Sequence, residues 1–227
     1  SQEDPTIVVS PTEKVRFIGG AGIVSMHASS LGAQVTFLSV TGKDDERKYA
    51  KDQLNNNNLT TYLAVDGKRN TTLKQRFQAE GKVLLRVSNL MQDFIDKNLQ
   101  LELLEAFDKI LDDIDLVVFS DFNYGCLPQT LVDKIISKCK KSGKLIFADS
   151  QSSSQVGDIC RFKKMDFISA TEREARISLQ NSQDGLVVLA EKLKSRSEAA
   201  NIFLKLGPQG VLLYLKSNKG NDEFITD

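Results

Sequence analysis

Gly19 and Gly20, in the stretch FIGGAGIVSMHASSLGAQVTFLSV, stand between an apolar run and a run of small residues. Two arrangements call for bare backbone there. One is close helix–strand packing, for which Gly19, Gly20, Ala21 and Gly22 leave room. The other is a ligand lying across a helix N-terminus, where free backbone N–H groups face it. Asp121 and Asp149 lie just past the apolar runs VVFS and LIFA. Sites of open α/β sheets gather at such strand ends, although turn and capping aspartates suit them equally. Glu174 follows SAT near a helix start, where the helix dipole favours any acid. Gly207 and Gly210 bracket the turn LGPQGV. Strand parity sends Lys74 and Arg76 of TLKQRFQ to one face. Arg86 of KVLLRVS lies opposite Arg76 if the intervening loop holds three residues, and on the other face if it holds two. Facing arginines repel unless an anion separates them. Solvated charges on an exposed hairpin are the plainer alternative.

Other chemistries lack their residues. The single histidine, His27, falls in a predicted helix and is assigned to packing, so Ser-His-Asp catalysis has no convincing base. Cys126, Cys139 and Cys160 are odd in number, lack metal-type spacing, and fit free thiols in a reducing compartment. No third glycine completes G-x-G-x-x-G after Gly19, and no G-x-x-x-x-G-K-[ST] occurs, so neither a nicotinamide-dependent enzyme nor a P-loop nucleotidase is supported. The 30 basic residues balance the 30 acidic ones, which leaves no broad footprint for nucleic acid or an anionic membrane. No apolar run approaches membrane-span length, and SQEDPTIVV is not a signal peptide.

The elements that would position these groups follow from periodicity. Thr6 to Val9 and Val15 to Ile18 are expected as strands. Ala21, Val24, Ala28 and Leu31 fall at helical spacing, with Gly32 as a stop. AQVTFLSV is β-rich, and DDERKYAKDQLNNNN opens a helix with acids and ends in an Asn tract. TLKQRFQ and KVLLRVS form a hairpin through Glu80 and Gly81. Helices around Leu99 to Leu111, Leu131 to Cys139 and Asp184 to Lys194 precede the strands IDLVVFS, KLIFAD and NIFLKL, and VLLYL is a further strand. This alternation predicts a mostly parallel sheet with helices on both faces, plus a small β-layer.

The order of these pieces resembles the ribokinase-like (PfkB) carbohydrate kinases. It is most similar to the kinase domain of bifunctional heptose-phosphate kinase/adenylyltransferases. GGAGIVSMHASSLGAQVTFLSVTGKDD resembles the glycine-rich substrate motif, and EDPTIVV the early E-x-P-x-x-x-V strand. TTLKQRFQAEGKVLLRVS resembles the lid hairpin, and VVFSDFNYGCL the V-x-S-D-Y-x-K-G-x-L turn. IFADSQ, ISATEREA and FLKLGPQGVLLY resemble x-x-x-D-P-K, x-T-P-N-x-x-E and V-T-x-G-x-x-G.

The resemblance implies one ribokinase-like domain over 1–227, with a lid from about 5–18 and 70–89. It implies transfer of the ATP γ-phosphoryl group to a hydroxyl of a sugar or sugar phosphate, a heptose phosphate among the candidates. The setting would be the cytoplasm and the assembly a homodimer joined through the lid. Gly19, Gly20, Lys74, Arg76, Arg86, Asp121 and Asp149 would then meet the sugar, and Thr171, Lys205, Gly207 and Gly210 the nucleotide. Glu174 would organise Mg²⁺. Departures are equally visible: Ile23 replaces the sugar-binding Asn and can neither donate nor accept. Tyr124 and Gln151 replace lysines, Thr171 an Asn, and Lys205 a Thr. The G-A-G-D segment, with the aspartate base, is absent before Asp227. The expectation is therefore C-terminal truncation, with the base beyond Asp227 and a helical segment needed to cover one sheet face. The rival is a degenerate, inactive kinase-like domain that binds a ligand or partner.

Overall fold

Helix–strand alternation organises the chain. In the computed structural model, residues 8–152 and 156–216 are described, together with the backbone of 223–226. In chain order the elements are α1 (Gly20–Ser30), β1 (Thr36–Thr41), α2 (Asp45–Asn56), β2 (Thr60–Val65), β3 (Leu73–Ala79), β4 (Lys82–Asn89), α3 (Lys97–Asp108), β5 (Leu116–Asp121), α4 (Gln129–Lys141), β6 (Leu145–Ser150), β7 (Phe167–Thr171), α5 (Glu172–Leu179), α6 (Leu186–Ser197), β8 (Asn201–Lys205), β9 (Val211–Leu215) and β10 (Glu223–Thr226). Several helices start where the sequence supplies a cap. Asp44 accepts from the Arg47 N–H at 2.9 Å and Asp96 from the Leu99 N–H at 3.0 Å. The helices then bury one stripe: α3 through Leu99, Leu103, Ala106 and Phe107, and α4 through Leu131, Val132, Ile135, Ile136 and Cys139.

The main sheet has six strands in the order β10-β9-β8-β7-β6-β5. β5 to β8 run parallel, and β9 and β10 are antiparallel additions. Register aligns Phe119, Ala148, Ile168, Ile202 and Tyr214 on one face, all of them buried in one core with α3 to α6. The opposite face is less covered. Phe147, Phe167 and Phe203 stack at 5.2 and 5.9 Å between centroids, Val118 is 50% exposed and Leu145 49%. β1 and β2 form a separate parallel pair that joins the same core through Ala64, Leu38 and Val40. β2, β7 and β10 are absent from the expected elements; β2 (TTYLAV) is β-rich but follows directly on the Asn tract.

Two expectations change. Val15 to Ile18 is not a strand, nor are Val8 and Val9; Thr6 and Ile7 lie outside the described residues. A strand needs a partner edge, and this segment finds a helix instead. Arg16 lies over the Tyr49 ring at 4.6 Å and meets Glu46 at 3.2 Å, while the Tyr49 hydroxyl donates to the Arg16 carbonyl at 2.9 Å. Among the described residues of the expected lid, the strands are those of the β3–β4 hairpin.

The hairpin turn does hold two residues, Glu80 and Gly81, with φ of 49° and 74°. Arg86 nevertheless lies opposite Arg76, because the register shifts between Phe77 and Gln78. Phe77 pairs with Leu85 and Gln78 with Val83, so Leu84 is the extra residue of a bulge. The bulge inverts the parity that the loop length alone would set.

Candidate functional site

At the start of α1, Gly20 has φ 58°, and a side chain there would begin 3.5 Å from the Phe122 ring. A Cβ on Gly19 would meet nothing within 4 Å, and one on Gly22 would strike Ile18 at 2.6 Å. Packing therefore explains Gly22, backbone conformation and an aromatic neighbour explain Gly20, and Gly19 faces open space. Phe122 belongs to the turn after β5. That turn is held tight by Asn123 at φ 58° and by Gly125, where a Cβ would come within 2.0 Å of the Asp93 carbonyl oxygen.

The same turn meets the flap. The Lys74 ammonium lies 5.0 Å from the Tyr124 ring centre, and Tyr124 lies 6.3 Å from Phe122, centroid to centroid. The face that carries Lys74 is thus turned toward the body of the protein, and Arg76 and Arg86 share it. Neither arginine has a carboxylate partner among the described residues.

Both feet of the flap are fixed by buried polar groups. Arg69 pairs with Asp66 at 2.7 Å, and its other nitrogens donate to the Tyr124 and Asp93 carbonyls at 3.0 Å each. Thr71 donates its N–H and its hydroxyl to Asp44, each at 2.7 Å. At both carboxyls burial alone would raise the pKa. Hydrogen bonds from Thr71 and Arg47 at Asp44, and from Arg69 and the Lys68 N–H at Asp66, outweigh it and hold both below the ordinary value. A carboxyl lowered by folding adds stability that is complete above its unfolded pKa of about 4 and lost as pH falls through the folded value. The flap feet are therefore expected to loosen below about pH 4. Amide exchange at residues 69–73, followed from pH 6 downward, should accelerate there, and Asp66→Asn should flatten the profile. A flat profile in the unsubstituted protein would contradict this.

At the sheet's C-terminal edge, Asp121 is 4% exposed. Its carboxylate accepts from Arg161 at 2.7 Å, the Asn123 N–H at 2.9 Å and the Ser150 hydroxyl at 3.4 Å. Asp149 pairs with Lys205 at 2.7 Å. Thr171 caps α5, and Glu174 closes the capping box. One Glu174 oxygen accepts from the Thr171 N–H at 2.8 Å, the other from the Ser152 N–H at 3.1 Å. Gly207 and Gly210 have φ of 62° and 89°, which the turn between β8 and β9 requires.

Among the described residues, no group of three or more His, Cys, Asp or Glu is placed to hold a metal ion. Both Glu174 oxygens accept from backbone N–H groups, and each keeps a second lone pair. Cysteine chemistry is unsupported: burial pushes the Cys160 thiol up to about 11. Two cavities are lined by other residues. One of about 250 Å³ lies at the flap foot beside Asp44, Asn70 and Thr71, and one of about 460 Å³ beside Arg173 and Arg176. The structure thus brings Gly20, Phe122, Tyr124 and Lys74 together, and separately Asp149 and Lys205. Sequence reasoning missed Phe122, Arg69 and Arg161; Phe122 stands at the Tyr position of the S-D-Y-x-K-G turn, whereas Arg69 and Arg161 carry no motif signal.

A mostly parallel α/β sheet with a small antiparallel flap, and with its acids and glycine turn at the strand ends, is a ribokinase-like fold. Solved sugar kinases share it. The Escherichia coli phosphofructokinase-2 complex with fructose-6-phosphate aligns with TM-score 0.68 at 16% identity, covering 96% of this chain and 73% of that one. A mutant form of the same enzyme aligns with TM-score 0.72 at 18% identity, covering 99% and 72%. The profile of the pfkB family carbohydrate kinases matches residues 3–225, and the chain belongs to that family. Similar curated proteins are the bifunctional protein HldE of Helicobacter pylori, 28% identical over 225 residues, and that of a Nitratiruptor species, 25% over 217. The alignments cover 97% and 94% of this chain, and 48% and 45% of those proteins. The chain thus spans about half the length of these relatives. Among the described residues no helix is long and apolar enough to cross a membrane.

Proposed function

We propose that this domain transfers the γ-phosphoryl group of ATP to a hydroxyl of a phosphorylated sugar, with a heptose phosphate as the leading candidate. The observation that carries the reading is the Arg76–Arg86 pair, opposed on the inner face of the flap. Two guanidinium groups so placed favour an anion between them, and fork geometry suits a phosphate. A related fold binds such a compound, as the fructose-6-phosphate complex of phosphofructokinase-2 indicates for that enzyme. The sugar would rest over the open space at Gly19, below Lys74, Arg76 and Arg86. The nucleotide would lie along Thr171, Lys205, Gly207 and Gly210, bringing its own Mg²⁺.

Asp121 and Glu174 serve as positioning groups in this reading, since their oxygens already accept from neighbouring donors. The proton from the sugar hydroxyl goes to a residue other than Asp121, Asp149 and Glu174. A homodimer would form through the outer face of the flap, where Leu85 is 54% and Val87 41% exposed. A cytoplasmic location accords with the substrates.

The second reading is a non-catalytic binding module. The substitutions at Ile23, Tyr124, Gln151, Thr171 and Lys205 favour it. ATP turnover by the full-length protein against a panel of sugar phosphates and neutral sugars, with Mg²⁺, separates the two. Phosphorylation confined to the phosphorylated sugars is expected. Absence of turnover together with absence of nucleotide binding leaves the binding module.

A further inference from the structure

We infer that the hollow on the outer flank of α5, lined by Arg173, Arg176, Ile177 and Gln180, is an accessory binding site for a phosphate monoester with an apolar organic part. It shares no residue with the sites proposed above and does not depend on the kinase reading.

Helix geometry makes the hollow. At about 100° per residue, Glu174, Ala175 and Ser178 fall on one side of α5, and all three are buried. Arg173, Arg176, Ile177 and Gln180 then fall together on the opposite side. α5 ends in a left-handed cap, Gln180 at φ 51°, and the chain turns through Asn181 and Ser182 toward α6. The turn and the helix flank line a cavity of about 460 Å³, a size typical of small-molecule sites. The N-terminus of α5 takes no part, since Thr171 and Glu174 close it. At the other end, the Gln180 and Asn181 N–H groups satisfy the Ile177 and Arg176 carbonyls, which blunts the negative pole of the helix.

The charge in the hollow is unbalanced. Glu172 accepts from Arg176 at 2.8 Å, and Asp184 accepts from Lys192 at 2.5 Å and from the Asn181 amide at 2.6 Å. Arg173 is exposed and makes no ion pair or hydrogen bond among the described residues. The lining thus carries two guanidinium groups against one carboxylate. Arg176 is held by Glu172 and by the Asp184 carbonyl at 3.1 Å, yet its Nη1 is buried with no hydrogen-bond partner among the described residues. A buried donor without an acceptor is rare in a folded protein, and a bound anion is one way to satisfy it.

The same residues select the class of anion. The Arg173 fork suits phosphate oxygens, and the Gln180 amide and Ser182 hydroxyl line the cavity as further donors. A phosphate ester offers three oxygens to these donors, where a carboxylate offers two. Between them the wall is apolar, built from Ile177 and the methylene stems of the arginines. Inorganic phosphate leaves that wall wet, and an apolar substituent covers it.

The test is calorimetric titration of the full-length protein with phenyl phosphate, inorganic phosphate and benzoate. Arg76→Ala/Arg86→Ala is the background, so that the flap supplies no competing anion site. Phenyl phosphate is expected to bind about tenfold more tightly than either of the others. Arg173→Ala should weaken phenyl phosphate and inorganic phosphate about tenfold or more, and Arg173→Lys should restore part of the loss. Ile177→Ser should weaken phenyl phosphate and leave inorganic phosphate unchanged, a split that general unfolding cannot produce. Absence of phenyl phosphate binding overturns the inference. So does binding that Arg173→Ala leaves unchanged, or benzoate binding as tightly as phenyl phosphate. None of these results bears on the kinase reading, which stands or falls on turnover.

Discussion

Arg161→Ala is expected to lower the folding stability by about 3–5 kcal/mol, because it strands a buried carboxylate. The Asp121 side chain is 5% exposed, and Arg161 is its cationic partner at 2.7 Å. The same guanidinium donates to the Leu127 carbonyl at 3.0 Å and to Gln129 at 3.2 Å, and it lies 4.3 Å from the Phe162 ring centre. Alanine would leave the Asn123 N–H and the Ser150 hydroxyl as the remaining donors. The penalty comes mostly from the uncompensated charge and much less from the contacts of the arginine. Adding Asp121→Asn should therefore recover part of the loss, since a neutral amide tolerates burial better. Urea unfolding of the two single variants and the double variant measures this. A loss under about 1 kcal/mol for Arg161→Ala would place the pair in the solvated class. Asp121 would then be hydrated, and free to meet a ligand after all.

The double variant Arg76→Ala/Arg86→Ala should lose about 10²-fold or more in kcat/KM for a phosphorylated sugar. Each charge-assisted hydrogen bond to phosphate is worth about 1.5–3 kcal/mol, or roughly 10- to 100-fold. The two side chains sit opposite one another, so their effects will not simply add. The loss should appear mainly as a raised KM for the sugar phosphate, with the KM for ATP unchanged. Any residual turnover of a neutral sugar should be indifferent to the substitution. Equal losses for charged and neutral sugars would mean that the arginines shape the flap and do not read the phosphate. Fold stability should hardly change, because both arginines are exposed.

Most of the fold is legible in the sequence. Apolar periodicity locates α3, α4 and α6 and the strands β5, β6, β8 and β9, because one buried face leaves its repeat in the residues. Of the missed strands β2, β7 and β10, β2 follows an Asn tract that hides its boundary. The false strand at Val15 to Ile18 has the right composition, but the structure seats Arg16 on Tyr49 of α2. Composition records what a segment tolerates, and the available partner decides what it does. At the candidate site, residue types are legible and their engagements are not. Glu174 is visible as a helix-start acid; that its oxygens accept from the N–H groups of Thr171 and Ser152 is not.

The succession of glycine run, flap hairpin and acid-bearing strand ends is enough to place the chain among the carbohydrate kinases. Such features are local or follow chain order, so they survive in one dimension. Three matters needed the folded molecule. The bulge at Leu84 returns Arg86 to the face of Arg76, against the parity of the Glu80–Gly81 turn. Arg161, 40 residues away, neutralises Asp121, and Lys205, 56 residues away, reaches Asp149. Which charges meet across such separations depends on strand register and on how helices pack against the sheet. Those are cooperative outcomes of burying a whole core, and no short window of residues encodes them.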